Sequence, residues 1–172
     1  MNKSGIFSLP VRVYFQDTDA GGVVYHANYL NFMERARTEW LRTHGYSNAG
    51  LMKEFGVVFV VRSFKLDYLK PALLDDMLSV TAQIKDIGRS RVSLLQTVRR
   101  RHGVAEQSGR EPTQSHDTHG SRASAEVSEG LRKDEVMVEA EVHLVSVSIE
   151  SFKPVSVPEV LRNQWKDQMA WK

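Results

Sequence analysis

ANYLNFMERARTEWLRT, residues 27–43, is the stretch from which the fold is read. Tyr29, Met33, Ala36 and Trp40 fall on one helical stripe, and Leu30, Arg37 and Leu41 fall on the next. Gly45 stands where a helix would stop. The spacing predicts a helix about 25 Å long at ~1.5 Å per residue. Its first turns carry Tyr29, Leu30, Phe32 and Met33 almost all round, which predicts burial on more than one face.

The segments on either side of this helix read as β-structure. Before it, Leu9 to Gln16 alternates, with Val11, Val13 and Phe15 on one side and Arg12 and Tyr14 on the other. Asp17-Thr18-Asp19-Ala20-Gly21-Gly22 then breaks the pattern with turn formers. After it, a second helical stretch, Ser47 to Phe55, ends at Gly56. Val58, Val60, Phe64, Leu66 and Tyr68 form a second strand, with Arg62 in its apolar phase as an ion-pair partner or a site residue. Leu78 to Lys85 is a third, ended by Gly88, and Val92 to Val98 a fourth. Val136 to Ile149 is a fifth, whose apolar face switches after Leu144 and so predicts a bulge or burial on both faces. A C-terminal helix opens at Pro158 and spaces Leu161, Trp165 and Met169 four apart. The layout is α+β, with strands longer than the helix and free to curl around it.

With 172 residues the chain fits one domain, 1–172. Its net charge of +2 lacks the basic stripe that nucleic acid or an anionic membrane requires. Cysteine is absent, which excludes disulfides and thiolate zinc sites. The longest apolar run, Val57 to Val61, is far below the ~20 residues of a spanning helix, so a soluble, cytoplasmic chain without membrane insertion is expected. Residues 102–133 hold no aromatic and only Val104, Val127 and Leu131 as large aliphatics, a composition that predicts a disordered loop insertion between the fourth and fifth strands. His102, His116 and His119 lie in it without a fixed third ligand, so no metal site is assigned.

Nucleotide-binding, zinc-protease and serine-hydrolase motifs are all missing. What remains is the segment from Asp17 to Tyr29, which joins a strand to the predicted helix with two carboxylates, two glycines and His26 inside ten residues. Free N–H groups at a helix N-terminus can polarise a carbonyl and hold a developing oxyanion. A nearby carboxylate can attack that carbonyl or activate water, and the two together are what an acyl-transfer hydrolase needs. The same residues also fit a plain capped turn.

Asp17-Thr18-Asp19-Ala20-Gly21-Gly22-Val23-Val24-Tyr25-His26, followed by Asn28-Tyr29 and Glu34-Arg35-Ala36-Arg37, resembles the hotdog-fold acyl-CoA thioesterases of the 4-hydroxybenzoyl-CoA thioesterase class. It is most similar to their Tol-Pal-associated branch in Gram-negative bacteria. The resemblance resumes at Tyr68 to Asp76, Glu139 to Glu141 and Lys153-Pro154. It implies a five-stranded antiparallel sheet wrapped around a long central helix, assembled as a homodimer or homotetramer with sites at the dimer interface. It implies hydrolysis of short to medium acyl-CoA thioesters without a cofactor. Asp19 would be the catalytic carboxylate and His26 would hold the thioester oxygen through its N–H, with Asp17 an acceptor for loop amides. Tyr25, Arg89, Ser90 and Lys153 are the implied substrate-binding residues. A different class of function also fits: a binding or scaffold protein at the cell envelope, contacting acyl carrier protein or phospholipid-synthesis enzymes.

Overall fold

In the computed structural model, which describes residues 6–101 and 135–169, five strands form one sheet. They are β1 (Phe7–Arg12), β2 (Val57–Tyr68), β3 (Met77–Ile87), β4 (Arg91–Arg100) and β5 (Glu135–Ser148), all paired antiparallel in the order β1-β3-β4-β5-β2. Three helices accompany them: α1 (Asn28–Thr43), α2 (Asn48–Phe55) and α3 (Glu159–Met169). The insertion expected at 102–133, with His102, His116 and His119, lies outside the described residues.

The predicted long helix is α1, and its apolar spacing decides how it sits. Tyr29, Phe32, Met33, Ala36, Trp40 and Leu41 are buried, and together they make a single stripe. Tyr29 to Ala36 pack with Val11, Leu78, Val80, Val98, Val138 and Ala140. Trp40 and Leu41 pack with Leu51, Ala82, Leu94, Val142, Leu161 and Trp165. Burial on more than one face is corrected here: Leu30, on the far side of the stripe, is 38% exposed. Each fully buried large side chain contributes roughly 1.5–3 kcal/mol, so this stripe is the main attachment of α1 to the sheet. The Trp40 and Trp165 rings, 5.1 Å apart, seat α3 against the same face.

Caps and glycines end the helices as their sequences suggest. Gly45 follows α1 with φ +86, and Gly56 ends α2 with φ +64, both in the left-handed region that favours glycine. Ser47 caps α2, its Oγ accepting the Gly50 N–H at 3.0 Å.

Two strand expectations change, and a third is decided between its alternatives. The first strand runs over Phe7–Arg12 rather than Leu9 to Gln16, because Asp17 folds the chain back: its Oδ2 accepts the Tyr14 N–H at 2.9 Å and its own N–H donates to the Tyr14 carbonyl at 2.9 Å. Residues Phe15–Asp17 thereby form a 3₁₀ turn, and Phe15, expected beside Val11 and Val13, is 82% exposed. In β2, Val61 pairs with Leu144 and Ser63 with His143, which leaves Arg62 as the extra residue of a bulge. The bulge shifts the side-chain phase. Val57 and Phe59 therefore face the core before it and Phe64 and Leu66 after it, while Val60 stays exposed. Arg62 is exposed and has no ion pair among the described residues. Of the two alternatives for β5, burial on both faces is observed at Val145, Ser146 and Val147. Beyond Val145, which pairs with Arg91, the neighbour is no longer β4 but the returning chain: Ser148 donates to the Lys153 carbonyl and Val155 to that of Ser146.

Among the described residues no helix is long and apolar enough to cross a membrane.

Candidate active site

The loop between the 3₁₀ turn and α1 folds on its own backbone. Thr18 and Val24 bridge, the Asp19 N–H donates to the Val23 carbonyl, and the Gly22 N–H donates to the Asp19 carbonyl, each at 2.9 Å. Gly22 takes φ +74, which an L side chain would resist. At the tip, Asp19 is exposed and its Oδ1 accepts the Gly21 N–H at 2.8 Å. A Cβ on Gly21 would stand 3.0 Å from that same oxygen, so a residue without a side chain is what lets the carboxylate sit where it does.

The loop is tied to the body through residues 71–76. Val23 bridges to Leu73, and the Val24 N–H donates to the Ala72 carbonyl at 2.9 Å. Ala72 in turn donates its N–H to the Tyr29 hydroxyl at 2.9 Å, which joins the segment to the first turn of α1. Burial pushes the Tyr29 phenol above its ordinary range, so the hydroxyl stays protonated. Arg100 holds the other side of this segment. Its guanidinium meets Asp76 at 2.8 Å, Glu135 at 3.1 Å and the Pro71 carbonyl at 2.9 Å. Asp17 works from beneath: its side chain is occupied by Tyr14, and its carbonyl accepts both the Tyr25 N–H and the Asn28 side-chain amide.

At the N-terminus of α1 the cap position is Ala27, which has no side chain to accept an N–H. The Asn28 N–H donates to the Tyr25 carbonyl and the Leu30 N–H to that of Ala27. Among the described residues neither the His26 nor the Ala27 backbone N–H has an acceptor. Free donors, the His26 and Ala27 N–H groups among them, thus stand at the positive end of a 16-residue helix, an arrangement suited to an anionic oxygen. The His26 ring is exposed, 4.4 Å from the Tyr25 ring and 6.4 Å from that of Tyr68.

The structure has Asp19, Tyr25 and His26 on this one loop, beside Ala72 and Leu73 in the segment that leads into β3. It puts Arg89, Ser90 and Lys153 elsewhere. Arg89 and Ser90 form the turn after β3, and Lys153 lies on the return from β5. The Arg89 carbonyl accepts the Val157 N–H at 2.8 Å, its Nε donates to the Ser156 hydroxyl at 3.2 Å, and the Ser90 carbonyl accepts the Ser146 N–H at 2.9 Å. With Pro154, Val155 and Ser156, Arg89 and Ser90 line a shallow groove. The 11 residues of β3, about 35 Å of extended chain, run between residues 71–76, which hold the loop, and the Arg89–Ser90 turn, so the two groups lie toward opposite ends of that strand.

Sequence reasoning did not single out Tyr68, Ala72 or Arg100 for the site. The bonds from Tyr68 to His26, Ala72 to Tyr29 and Arg100 to Asp76 cross 24 to 43 positions, and a single sequence carries no signal of such pairs. No group of three metal-ligating side chains occurs among the described residues.

An antiparallel sheet in this strand order, packed on one long helix whose N-terminus faces an Asp-bearing loop, defines the hotdog fold. The chain belongs to the thioesterase superfamily, whose family model matches residues 21–106, half of the chain. Over 81 residues it is 53% identical to the acyl-CoA thioesterase YbgC of Haemophilus influenzae, covering 47% of this chain and 60% of that protein. Over 79 residues it is 58% identical to the acyl-CoA thioester hydrolase YbgC of Escherichia coli, covering 46% of this chain and 58% of that protein. The chain therefore spans about three fifths of the length of these curated relatives. Among solved structures it is similar to a probable thioesterase from Bartonella henselae, with TM-score 0.66 and 28% identity over 89% of this chain and 99% of the other.

Proposed function

We propose that this protein hydrolyses acyl-CoA thioesters, of short to medium acyl chain length, to the free acid and CoA. The observation that carries the reading is the pairing, on one loop, of the exposed Asp19 carboxylate with the free His26 N–H at the start of α1. The relatives named acyl-CoA thioesterase and acyl-CoA thioester hydrolase support the substrate class.

In this scheme the thioester oxygen accepts the His26 N–H, and the dipole of α1 stabilises the charge that builds on it. Asp19 supplies the attack in one of two ways. Its carboxylate adds to the carbonyl, the C–S bond breaks and CoA leaves as thiolate, after which water opens the acyl-Asp19 anhydride. Alternatively Asp19 takes a proton from a water that adds directly, and the same C–S bond breaks. Turnover in ¹⁸O-water separates the routes, because the anhydride opened at its enzyme-side carbonyl labels Asp19.

Tyr25 and the His26 ring border the same loop and would flank the acyl thioester. Arg89, Ser90 and Lys153 would receive the phosphates and pantetheine arm of CoA. Their position at the far end of β3 supports a site shared between copies, so a homodimer or homotetramer is expected, with β1 and β2 as the strands left at the sheet edges. The reading includes the cytoplasm as its compartment, the Tol-Pal-associated branch as its family position, and residues 102–133 as a loop inserted in one hotdog domain.

The test is a panel of acyl-CoA chain lengths with free-thiol detection, run beside light scattering. Multiple turnovers by a dimer or tetramer are expected. Binding of acyl-CoA or acyl carrier protein without thiol release would replace the hydrolase with a scaffold protein.

A further inference from the structure

We infer that Tyr68 is a positioning residue for a second oxyanion donor, the free Ala27 N–H next to that of His26, an inference that rests on the hydrolase reading above. Tyr68 closes β2 and pairs in register with Val138 of β5, so its backbone is fixed by the sheet and not by the loop. Its hydroxyl donates to the His26 carbonyl at 3.0 Å, across 42 positions of sequence. Its ring meets those of His26 at 6.4 Å and Tyr29 at 5.8 Å in edge-on geometry.

His26 joins two peptide planes, and the structure engages the carbonyl of each. The plane that carries the His26 N–H has the Tyr25 carbonyl, which accepts the Asn28 N–H at 2.8 Å. The plane that carries the Ala27 N–H has the His26 carbonyl, which accepts the Tyr68 hydroxyl. Rotation of either plane breaks one of these bonds, so both free N–H groups hold a set orientation. A hydrogen bond accepted at an amide oxygen also polarises that amide and strengthens its N–H as a donor. The first bond is local to the helix start. The second reaches in from the sheet, and only Tyr68 supplies it among the described residues. Negative charge develops on the substrate oxygen only as the tetrahedral intermediate forms and not in the bound thioester, so the contribution of Tyr68 falls on kcat and not on substrate binding.

Tyr68→Phe keeps the ring and removes the hydroxyl. With a saturable acyl-CoA, kcat is expected to fall roughly tenfold, the scale of one hydrogen bond, while KM stays within about twofold. The thermal midpoint stays close to the parent, and the Ala27 amide resonance moves upfield as its peptide loses polarisation. A loss carried by KM alone, a loss that merely follows a lowered midpoint, or an unmoved Ala27 resonance overturns the inference. If the parent turns over, Asp19→Asn does not, and Tyr68→Phe runs at the parental rate, this inference fails alone. A parent that leaves acyl-CoA intact removes the hydrolase reading and this inference together.

Discussion

Asp17 and Asp19, two positions apart, occupy opposite circumstances: Asp17 is 7% exposed and its carboxylate accepts the Tyr14 N–H at 2.9 Å, whereas Asp19 is exposed and accepts the Gly21 N–H at 2.8 Å. The first carboxylate is spent on folding the chain out of β1 into the 3₁₀ turn. The second is left facing solvent at the tip of a loop held by the Asp19–Val23 and Gly22–Asp19 backbone bonds. This division of labour sets apart the effects expected from changing each.

Asp17→Ala removes the acceptor that closes the 3₁₀ turn and leaves the Tyr14 N–H without its partner. A stability loss of about 1–2 kcal/mol is expected, read as a thermal midpoint several degrees lower. Turnover per folded molecule should change little. An Asp17→Ala protein with the parental midpoint and no turnover would transfer the chemistry to Asp17.

Gly21→Ala places a Cβ 3.0 Å from Asp19 Oδ1, tighter than an ordinary contact, so the carboxylate shifts and its bond to the Gly21 N–H is weakened. The site is exposed and Gly21 has no positive φ, so the expected stability change is within about 0.5 kcal/mol. The expected kinetic change is a lower kcat with the fold intact, measured by steady-state hydrolysis beside circular dichroism. Unchanged kcat would mean that the Asp19 rotamer set by Gly21 is not the working one.

Arg100→Ala strips two carboxylates and one carbonyl of a shared partner in a largely shielded position. Asp76 and Glu135 then face each other without the guanidinium between them. Urea unfolding should report a loss of about 2–4 kcal/mol. Because the segment that Arg100 holds also carries the Ala72 contacts to Val24 and Tyr29, kcat should fall with it. A loss under about 0.5 kcal/mol would show that Arg100 is not what secures residues 71–76.

Much of this architecture is legible in the chain, for identifiable reasons. The stripe Tyr29, Met33, Ala36 and Trp40 reads correctly because one period of 3.6 runs without interruption and Gly45 stops it. The alternation in β3 reads correctly because that strand has the core on one face only. Phe15 misleads because a side-chain acceptor two residues on, at Asp17, overrides strand periodicity, and one residue in the wrong phase looks no different from a continued strand. Val60 and Phe64 appear to share a face because a bulge at Arg62 changes phase without leaving a glycine or proline to mark it. At the candidate site, the Asp19 to His26 loop is legible because its residues are contiguous. Tyr68 and Arg100 reach it only through tertiary contact, which no local pattern encodes.

The ladder between β4 and β5 continues to the pair Arg100 and Glu135, so the hairpin closes at its base through described residues alone. Replacing residues 102–133 by a short glycine-containing turn is therefore expected to leave the far-ultraviolet spectrum, the oligomer and kcat near their parental values, since loop length enters closure entropy only logarithmically. Limited proteolysis of the parent should cut first within 102–133. A replacement that fails to fold or loses its oligomer would make the segment structural.

The central claim is that the Asp19 carboxylate drives the hydrolysis, as nucleophile or as base, and the most direct measurement is kcat for Asp19→Asn on the best acyl-CoA of the panel. The amide keeps the shape and an oxygen that can accept the Gly21 N–H, while the charge and basicity are gone. The account predicts a folded, correctly assembled protein whose kcat is lower by roughly 10² to 10⁴, with the Asp17 variant far less affected. A folded Asp19→Asn protein that hydrolyses acyl-CoA at the parental rate would contradict it and leave this loop as no more than a capped turn.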